Sequence, residues 1–135
     1  MKRVLYVLAF LAVALASVSS SIALGRGGSS GHSSDRVIKQ GSCTGATSKL
    51  KLKRESGKRI EADFEVDQNR ANQRWQVTMR HNNNVVFAGT RRTTTRSGAL
   101  SVHVVLADRP GSDLVAVTAR ERSGKGHCAV SALAP

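Results

Sequence analysis

The chain has 135 residues and is strongly basic, with 21 lysines and arginines against nine aspartates and glutamates and a formal net charge of +12 at pH 7. This length indicates one domain once an export segment is removed. Only 4% of the residues are aromatic, too few for the stacking platform with which proteins hold single-stranded nucleic acid. The composition therefore argues against specific nucleic-acid binding and leaves the net positive charge as the main feature of the composition.

The N-terminus has the pattern of a secretory signal peptide. Lys2 and Arg3 precede an uncharged apolar stretch over residues 4–16, and small residues follow up to Ala23. An apolar stretch of this length is short for a membrane span, which needs about 20 residues. We expect a signal peptide over 1–23, cut after Ala23 rather than Ala16, and a secreted, extracellular product with no membrane span in the mature chain.

The segment that follows the signal is rich in glycine and serine and has nothing to bury. We predict a flexible leader over residues 24–41 and a folded domain over residues 42–135.

Within the folded domain the apolar residues recur with a period of two, which is typical of strands. Glycine, asparagine and proline punctuate the runs. The pattern predicts an all-β fold, a single seven-stranded antiparallel β-sandwich of immunoglobulin-like architecture, with no helix. The facing of the fourth run stays open, because Val85, Val86 and Phe87 are consecutive. The seven runs cover residues 50–52, 60–66, 75–79, 85–90, 100–106, 115–119 and 128–132.

Charge predicts the register of the first hairpin. A two-residue loop at Ser56-Gly57 would set Leu52 opposite Glu61 and turn apolar residues onto a charged face. A register one residue away keeps the apolar residues on one face, and a slip of one residue would move every side chain to the other face. The favoured pairs are Lys53 with Glu61, Lys51 with Asp63, Lys49 with Glu65, Leu52 with Ala62 and Leu50 with Phe64.

The two cysteines, Cys43 and Cys128, lie near the two ends of the predicted domain. Exported chains fold in an oxidising compartment, and no other cysteine competes. We predict one disulfide between them, joining the first and last strands.

Most of the net positive charge belongs to the second half of the chain. Residues 68–135 carry ten lysines and arginines against three acids, whereas residues 49–67 carry six against five. A field of this sign attracts anionic polymers, although a purely solvating surface has the same composition. The candidate ligand-binding patch consists of Arg91, Arg92, Arg96, Arg120, Arg122 and Lys125.

No catalytic or metal-binding motif stands out. His81, His103 and His127 match no zinc spacing, and for His103 and His127 the pattern favours a surface role. No serine lies in a nucleophile-elbow motif. We therefore predict a protein that is not an enzyme and uses no cofactor or metal.

Several segments resemble a family of small secreted proteins of actinobacteria to which no activity is assigned. The resemblance spans roughly residues 42–132, and it implies a secreted β-sandwich with a terminal disulfide. It rests on residues 42–45, 49–53, 64–70, 75–77 and 126–128.

Two functions fit these observations. The favoured one is a secreted, non-catalytic binding module for anionic polymers of the cell envelope or matrix. The alternative is an inhibitor of extracellular proteases that presents an exposed loop, either 91–97 or the 108–113 turn with its Arg109-Pro110 pair. The expected partner is thus an anionic polymer or an extracellular protein, and the chain is expected to be a monomer.

Overall fold

The computed structural model describes residues 35–135. The predicted signal peptide and most of the predicted leader lie outside the described residues. The described part is all-β and contains no helix, as predicted. Its strands are β1 (Arg36–Gln40), β2 (Ser42–Thr44), β3 (Thr47–Glu55), β4 (Arg59–Asp67), β5 (Arg74–His81), β6 (Asn84–Arg92), β7 (Ala99–Ala107), β8 (Leu114–Glu121) and β9 (His127–Leu133).

The strands form two antiparallel sheets. One has four strands in the order β1-β3-β4-β7, and the other has five in the order β2-β9-β8-β5-β6. The predicted two-sheet all-β architecture is therefore confirmed. The count of seven is wrong for residues 35–135, where nine strands form: the seven predicted runs are β3 to β9, and β1 and β2 are additional.

The first additional strand lies inside the range 24–41 that the glycine-rich composition assigns to the leader. Strand β1 pairs with β3 along its whole length, from Arg36 opposite Lys53 to Gln40 opposite Lys49. Of its side chains only Val37 packs against the core. One inward residue makes no period-two pattern, so this edge strand cannot be recognised from the alternation of apolar residues.

The core fills the space between the two sheets. Trp75 and Phe64 are its largest fully buried side chains, and the indole Nε1 of Trp75 donates a hydrogen bond to Gln68 Oε1 at 3.1 Å. The inward rows predicted from the period of two are buried, except that Val104 is only partly buried. They include Leu50, Leu52, Ile60, Ala62, Val66, Val77, Met79, Leu100, Val102, Leu106, Val115, Val117, Ala119, Cys128, Val130 and Ala132.

The predicted register of the β3–β4 hairpin is confirmed at all five pairs. The loop that produces this register has three residues, 56–58, rather than two. Gly57 and Lys58 in this loop have positive φ angles, of 76° and 54° respectively. Glycine adopts this conformation without strain. Lys51 Nζ lies 3.0 Å from Asp63 Oδ2 across the strands, whereas Lys53 forms its ion pair with Glu55 of its own strand.

A β-bulge answers the open question of how β6 faces. Met79 is opposite Phe87 and Arg80 is opposite Val85, so that Val86 is an extra residue without a partner. Val85 and Val86 are both exposed, and Phe87 is half-buried against the core. A bulge of this kind shifts the alternation by one residue, which explains three consecutive apolar residues in one strand.

The predicted disulfide is present between Cys43 and Cys128. It joins β2, the second strand in chain order rather than the first, to the last strand β9. The two residues are direct partners within the five-stranded sheet, and their Cα atoms lie 4.1 Å apart. The bond therefore secures a three-residue edge strand and closes a loop with a sequence separation of 85 residues.

Removing this bond should destabilise the domain substantially. In the chain-entropy model, a closed loop of this size stabilises the folded state by up to about 4.5 kcal/mol. We expect the double substitution Cys43→Ala/Cys128→Ala to lower the free energy of unfolding, measured by urea denaturation, by an amount approaching that figure. Reduced wild type serves as the control and should lose as much; equal stability of variant and oxidised wild type would contradict the prediction.

Candidate functional site

The predicted basic patch comes from two segments, residues 91–96 and 120–125, and the order of the strands brings these segments together. Strands β6, β5 and β8 are neighbours, and the antiparallel pairing places the end of β6, the start of β5 and the end of β8 at one end of the sheet. Arg92 is the direct partner of Arg74. The backbone N–H of Arg122 donates to the carbonyl oxygen of Arg74 at 2.8 Å, which extends the ladder beyond β8. Arg92, Arg74 and Arg122 thus form one cross-strand row, the arginine row, with neighbouring strands about 4.8 Å apart.

The arginine row lies on the outer face of the five-stranded sheet. Trp75 and Glu121 are buried, so the residues beside them in each strand point outward. Arg120 is exposed on the same face, one row further along, where it is opposite Gln76. We call Arg74, Arg92, Arg120 and Arg122 together the basic face.

No carboxylate lies on the basic face. None of its four arginines forms an ion pair within residues 35–135, and residues 1–34 contain no aspartate or glutamate. The nine acids lie elsewhere. Five are on the four-stranded sheet: Glu55, Glu61, Asp63, Glu65 and Asp67. Asp35 precedes β1, Asp108 and Asp113 lie between β7 and β8, and Glu121 is buried. Like charges directly opposite each other destabilise a sheet, so the arginine row is a cost to folding.

The other three predicted patch residues lie at the same end but off this face. Arg96 is exposed in the turn between β6 and β7, and Lys125 is exposed in the turn between β8 and β9. The guanidinium carbon of Arg91 lies 4.6 Å above the centre of the Phe87 ring. Gly89 lies between them, and a Cβ there would come within 3.3 Å of the Phe87 ring. Arg91 therefore has a packing role at the sheet edge.

Arg74 is the residue of the basic face that the sequence alone did not select. Its position next to Trp75 in an alternating run predicts that it points outward, and this prediction is correct. Nothing in a run of seven or eight residues shows which strands will be its neighbours. The pairing of β5 with both β6 and β8 makes Arg74 the centre of the row.

Buried polar residues hold the connections at this end in place. The hydroxyl of Thr93, itself buried, donates to the carbonyl oxygen of Arg70 at 2.5 Å and accepts from the N–H of Gln73 at 2.9 Å. Glu121 Oε2 accepts from the N–H of Gly126 at 3.1 Å. A Cβ on Gly126 would lie 2.6 Å from the Trp75 ring. The backbone beneath the basic face is therefore packed and hydrogen-bonded.

Next to the basic face the same sheet surface becomes a shallow trough of about 310 Å³ between β8 and β9. Its side chains are small: Ala116 is opposite Ser131, and Thr118 is opposite Ala129. The trough is open to solvent, and Arg120 follows Thr118 on the same face of β8.

A buried pair secures the opposite end of the sandwich. His81 Nε2 lies 2.5 Å from Asp113 Oδ1, and both side chains are almost completely buried. Asp113 also accepts from the N–H of Arg109 at 3.2 Å and from Asn82 Nδ2 at 3.4 Å. Burial alone would raise the pKa of the Asp113 carboxyl, but the hydrogen bonds from His81 and Arg109 hold that pKa below its ordinary value.

His103 lies on the exposed outer face of the four-stranded sheet, as the sequence predicts. Its Nδ1 is 2.6 Å from Asp63 Oδ1. Burial would raise the pKa of Asp63, yet the contacts with His103 and Lys51 lower it overall. Residues 35–135 contain no group of three or more His, Cys, Asp or Glu side chains placed to hold a metal ion, and no helix in this range could cross a membrane.

The two candidate inhibitory loops differ in shape. The 91–97 segment ends β6 and then folds into a tight turn, in which Thr94 N donates to the Ala99 carbonyl and Gly98 N donates to the Thr94 carbonyl. The 108–113 segment instead protrudes, with Arg109, Pro110 and Gly111 exposed between the two fixed ends of the loop.

Comparison with known proteins places the chain in no group: no family model, no curated protein and no solved structure matches it. The resemblance to small secreted actinobacterial proteins and the immunoglobulin-like architecture therefore stay predictions.

Asp113 should make stability depend on acid pH. Because folding lowers its pKa, its contribution is complete above the ordinary aspartate pKa of about 3.9 and is lost as the pH falls through the lower folded value. We expect the Tm of the wild type, followed by circular dichroism, to fall more steeply between about pH 5 and pH 2 than that of Asp113→Asn, which has no carboxyl to protonate.

At neutral pH the same substitution should lower the Tm, since disturbing a buried hydrogen-bonded group typically costs about 1–3 kcal/mol. Parallel pH curves for the two proteins would show that the buried pair makes no such contribution.

Proposed function

We propose that this protein is a secreted, non-catalytic module that binds anionic polymers of the cell envelope or matrix through the basic face. The arginine row carries this proposal. Three like charges on neighbouring strands, with no carboxylate on the same face of the described domain, disfavour folding. An oxyanion ligand would relieve that repulsion.

The chemistry of arginine suits such a ligand. Its planar guanidinium donates two parallel hydrogen bonds to a phosphate, sulfate or carboxylate group and is only weakly hydrated. Strand pairing places the arginines one strand spacing apart on a packed backbone. A polymer with repeated anionic groups would contact several of them at once, and the affinity would then arise from many weak contacts.

The distribution of lysine and arginine supports the same conclusion. Lys49 and Lys51 have cross-strand acidic partners on the four-stranded sheet, at 3.8 and 3.0 Å. The basic face has only arginines and no such partners. The lysines of β3 thus pair with the chain's own carboxylates, whereas the four arginines of the basic face are left unpaired within the described domain.

Secretion is part of the proposal. It is supported by the signal-peptide pattern over residues 1–23 and by the Cys43–Cys128 disulfide, which is compatible with an extracellular protein. The relation to secreted actinobacterial proteins and the immunoglobulin-like architecture are proposed on the same footing. The two antiparallel sheets support both proposals. The disulfide lies within one sheet rather than between the two.

Charge reversal on the basic face should abolish polymer binding. We expect Arg74→Glu/Arg92→Glu/Arg120→Glu to eliminate retention on heparin and teichoic acid, with little change in Tm because these side chains form no ion pairs within the described domain. Wild-type affinity should fall steeply as the salt concentration rises, since exposed charges are screened beyond about 8 Å at physiological ionic strength. Isothermal titration at two salt concentrations measures both effects.

The matched control is Arg36→Glu/Lys39→Glu/Lys58→Glu. It changes the net charge by the same amount, but its three side chains are exposed on β1 and in the 56–58 loop, away from the basic face. It should retain binding. Equal losses in both triple variants would mean that net charge alone attracts the polymer, and no wild-type binding at low salt would refute the proposal.

A second candidate function, protease inhibition, is favoured by one observation. The 108–113 loop presents exposed Arg109-Pro110, and the carboxylate of Asp113 accepts the N–H of Arg109 across the loop. Asp113 is in turn held by buried His81. The loop is therefore both exposed and fixed, as an inhibitory loop must be to resist cleavage.

On this second hypothesis the protein should inhibit a trypsin-like protease at a one-to-one ratio, and Arg109→Ala should abolish the inhibition by removing the side chain that enters the specificity pocket. Arg96→Ala, which changes an exposed arginine in another turn, is the control. Titration of residual protease activity gives the result, and rapid cleavage after Arg109 would rule out the inhibitory role.

A further inference from the structure

The trough beside the basic face has boundaries that suggest what else the ligand contains. At one end Arg120 is opposite His127, and at the other Leu114 is opposite Leu133. Arg120 and Leu114 are six residues apart on β8, about 20 Å at the rise of an extended strand. A ligand held at the arginine row thus has a bounded surface on which a neutral part can lie.

The floor of the trough is chemically mixed. Ala116 and Ala129 present methyl groups, whereas Thr118 and Ser131 present hydroxyls that form no hydrogen bond within residues 35–135. Each hydroxyl can donate one hydrogen bond and accept others. A sugar ring has the matching chemistry, with C–H groups on its faces and hydroxyls around its edge.

The outer faces of the two sheets differ in side-chain size where β3 pairs with β4 and where β8 pairs with β9. The outer face of the four-stranded sheet carries long charged side chains in facing rows, such as Lys51 opposite Asp63 and Lys49 opposite Glu65. No flat ring could approach the backbone there. The trough on the five-stranded sheet combines a floor of small side chains with the neighbouring unpaired arginines of the basic face.

Within residues 35–135 the aromatic residues are not placed to stack on nucleic-acid bases. Trp75 is fully buried, and Phe87 is half-buried beneath Arg91. Base stacking on exposed aromatic rings is the main device for holding single-stranded nucleic acid without sequence preference. A bare polyphosphate chain, in contrast, would need the arginines and make no use of the trough.

From these observations we infer that the ligand is an acidic polysaccharide. Its sulfate, phosphate or carboxylate groups bind the arginine row and Arg120, and its sugar rings lie along the trough between β8 and β9. The inference rests on the proposed polymer-binding function and adds the class of polymer to it.

Filling the trough without changing charge tests the inference. In Thr118→Leu/Ala129→Leu two larger side chains occupy the floor and one free hydroxyl is lost. We expect the affinity for heparin and for polygalacturonate to fall about tenfold, the equivalent of roughly one hydrogen bond, while the affinity for polyphosphate is unchanged. Ser101→Leu/Ala107→Leu, two exposed positions on β7 of the other sheet, is the control and should bind like wild type. Thermal unfolding verifies that both variants are folded.

Three outcomes would overturn the inference while leaving polymer binding in place: an unchanged polysaccharide affinity in the trough variant, an equal loss for polyphosphate, or a wild-type preference for polyphosphate or duplex DNA over both polysaccharides. Failure of the wild type to bind any of the four polymers is a different result, because it refutes the proposed function itself.

Discussion

The arrangement of the whole domain depends on the burial of alternating apolar rows between two sheets. Once Leu50, Phe64 and Trp75 point inward, the residues beside them must point outward. That constraint places the lysines of β3, the acids of β4 and the arginines of β5 and β8 on one outer face or the other. The acids of β4 therefore meet the lysines of β3, and the arginines of β5 and β8 are left on a face without acids. The separation of charge between the two sheets is thus a consequence of how the core is packed.

The features that the sequence predicts correctly are those governed by neighbours along the chain. The register of the β3–β4 hairpin follows from a short loop and two complementary rows of charge, and the Cys43–Cys128 bond follows from the absence of any competing thiol. Edge strands lack such signals. Strand β1 buries little more than Val37, and β2 has three residues, so their positions come from hydrogen bonding to β3 and β9 rather than from any pattern of their own.

The candidate site is only partly predictable for a related reason. Clusters at residues 91–96 and 120–125 are visible in the sequence, but the order β8-β5-β6 that joins them is a non-local property of the sheet. That order brings in Arg74 and separates Arg91, whose side chain covers Phe87 instead. Parity along a strand shows which face a side chain occupies, whereas strand order determines which side chains share that face. At the bulge, where Val86 is inserted, the alternation along the strand no longer predicts which face a side chain occupies.

Glu121 is the acidic residue next to the arginine row in the sequence. It lies between Arg120 and Arg122 in sequence but on the buried side of the sheet, where Oε2 accepts the N–H of Gly126 and Oε1 is 3.9 Å from Arg70 Nη1. Charges interact more strongly through a poorly hydrated interior than through water, so a carboxylate beneath the sheet reduces the mutual repulsion of the arginines above it. Because it is buried, it cannot itself occupy the guanidinium groups on the outer face. A carboxylate on the surface would compete with any oxyanion ligand for the guanidinium groups, whereas a buried one leaves the basic face open.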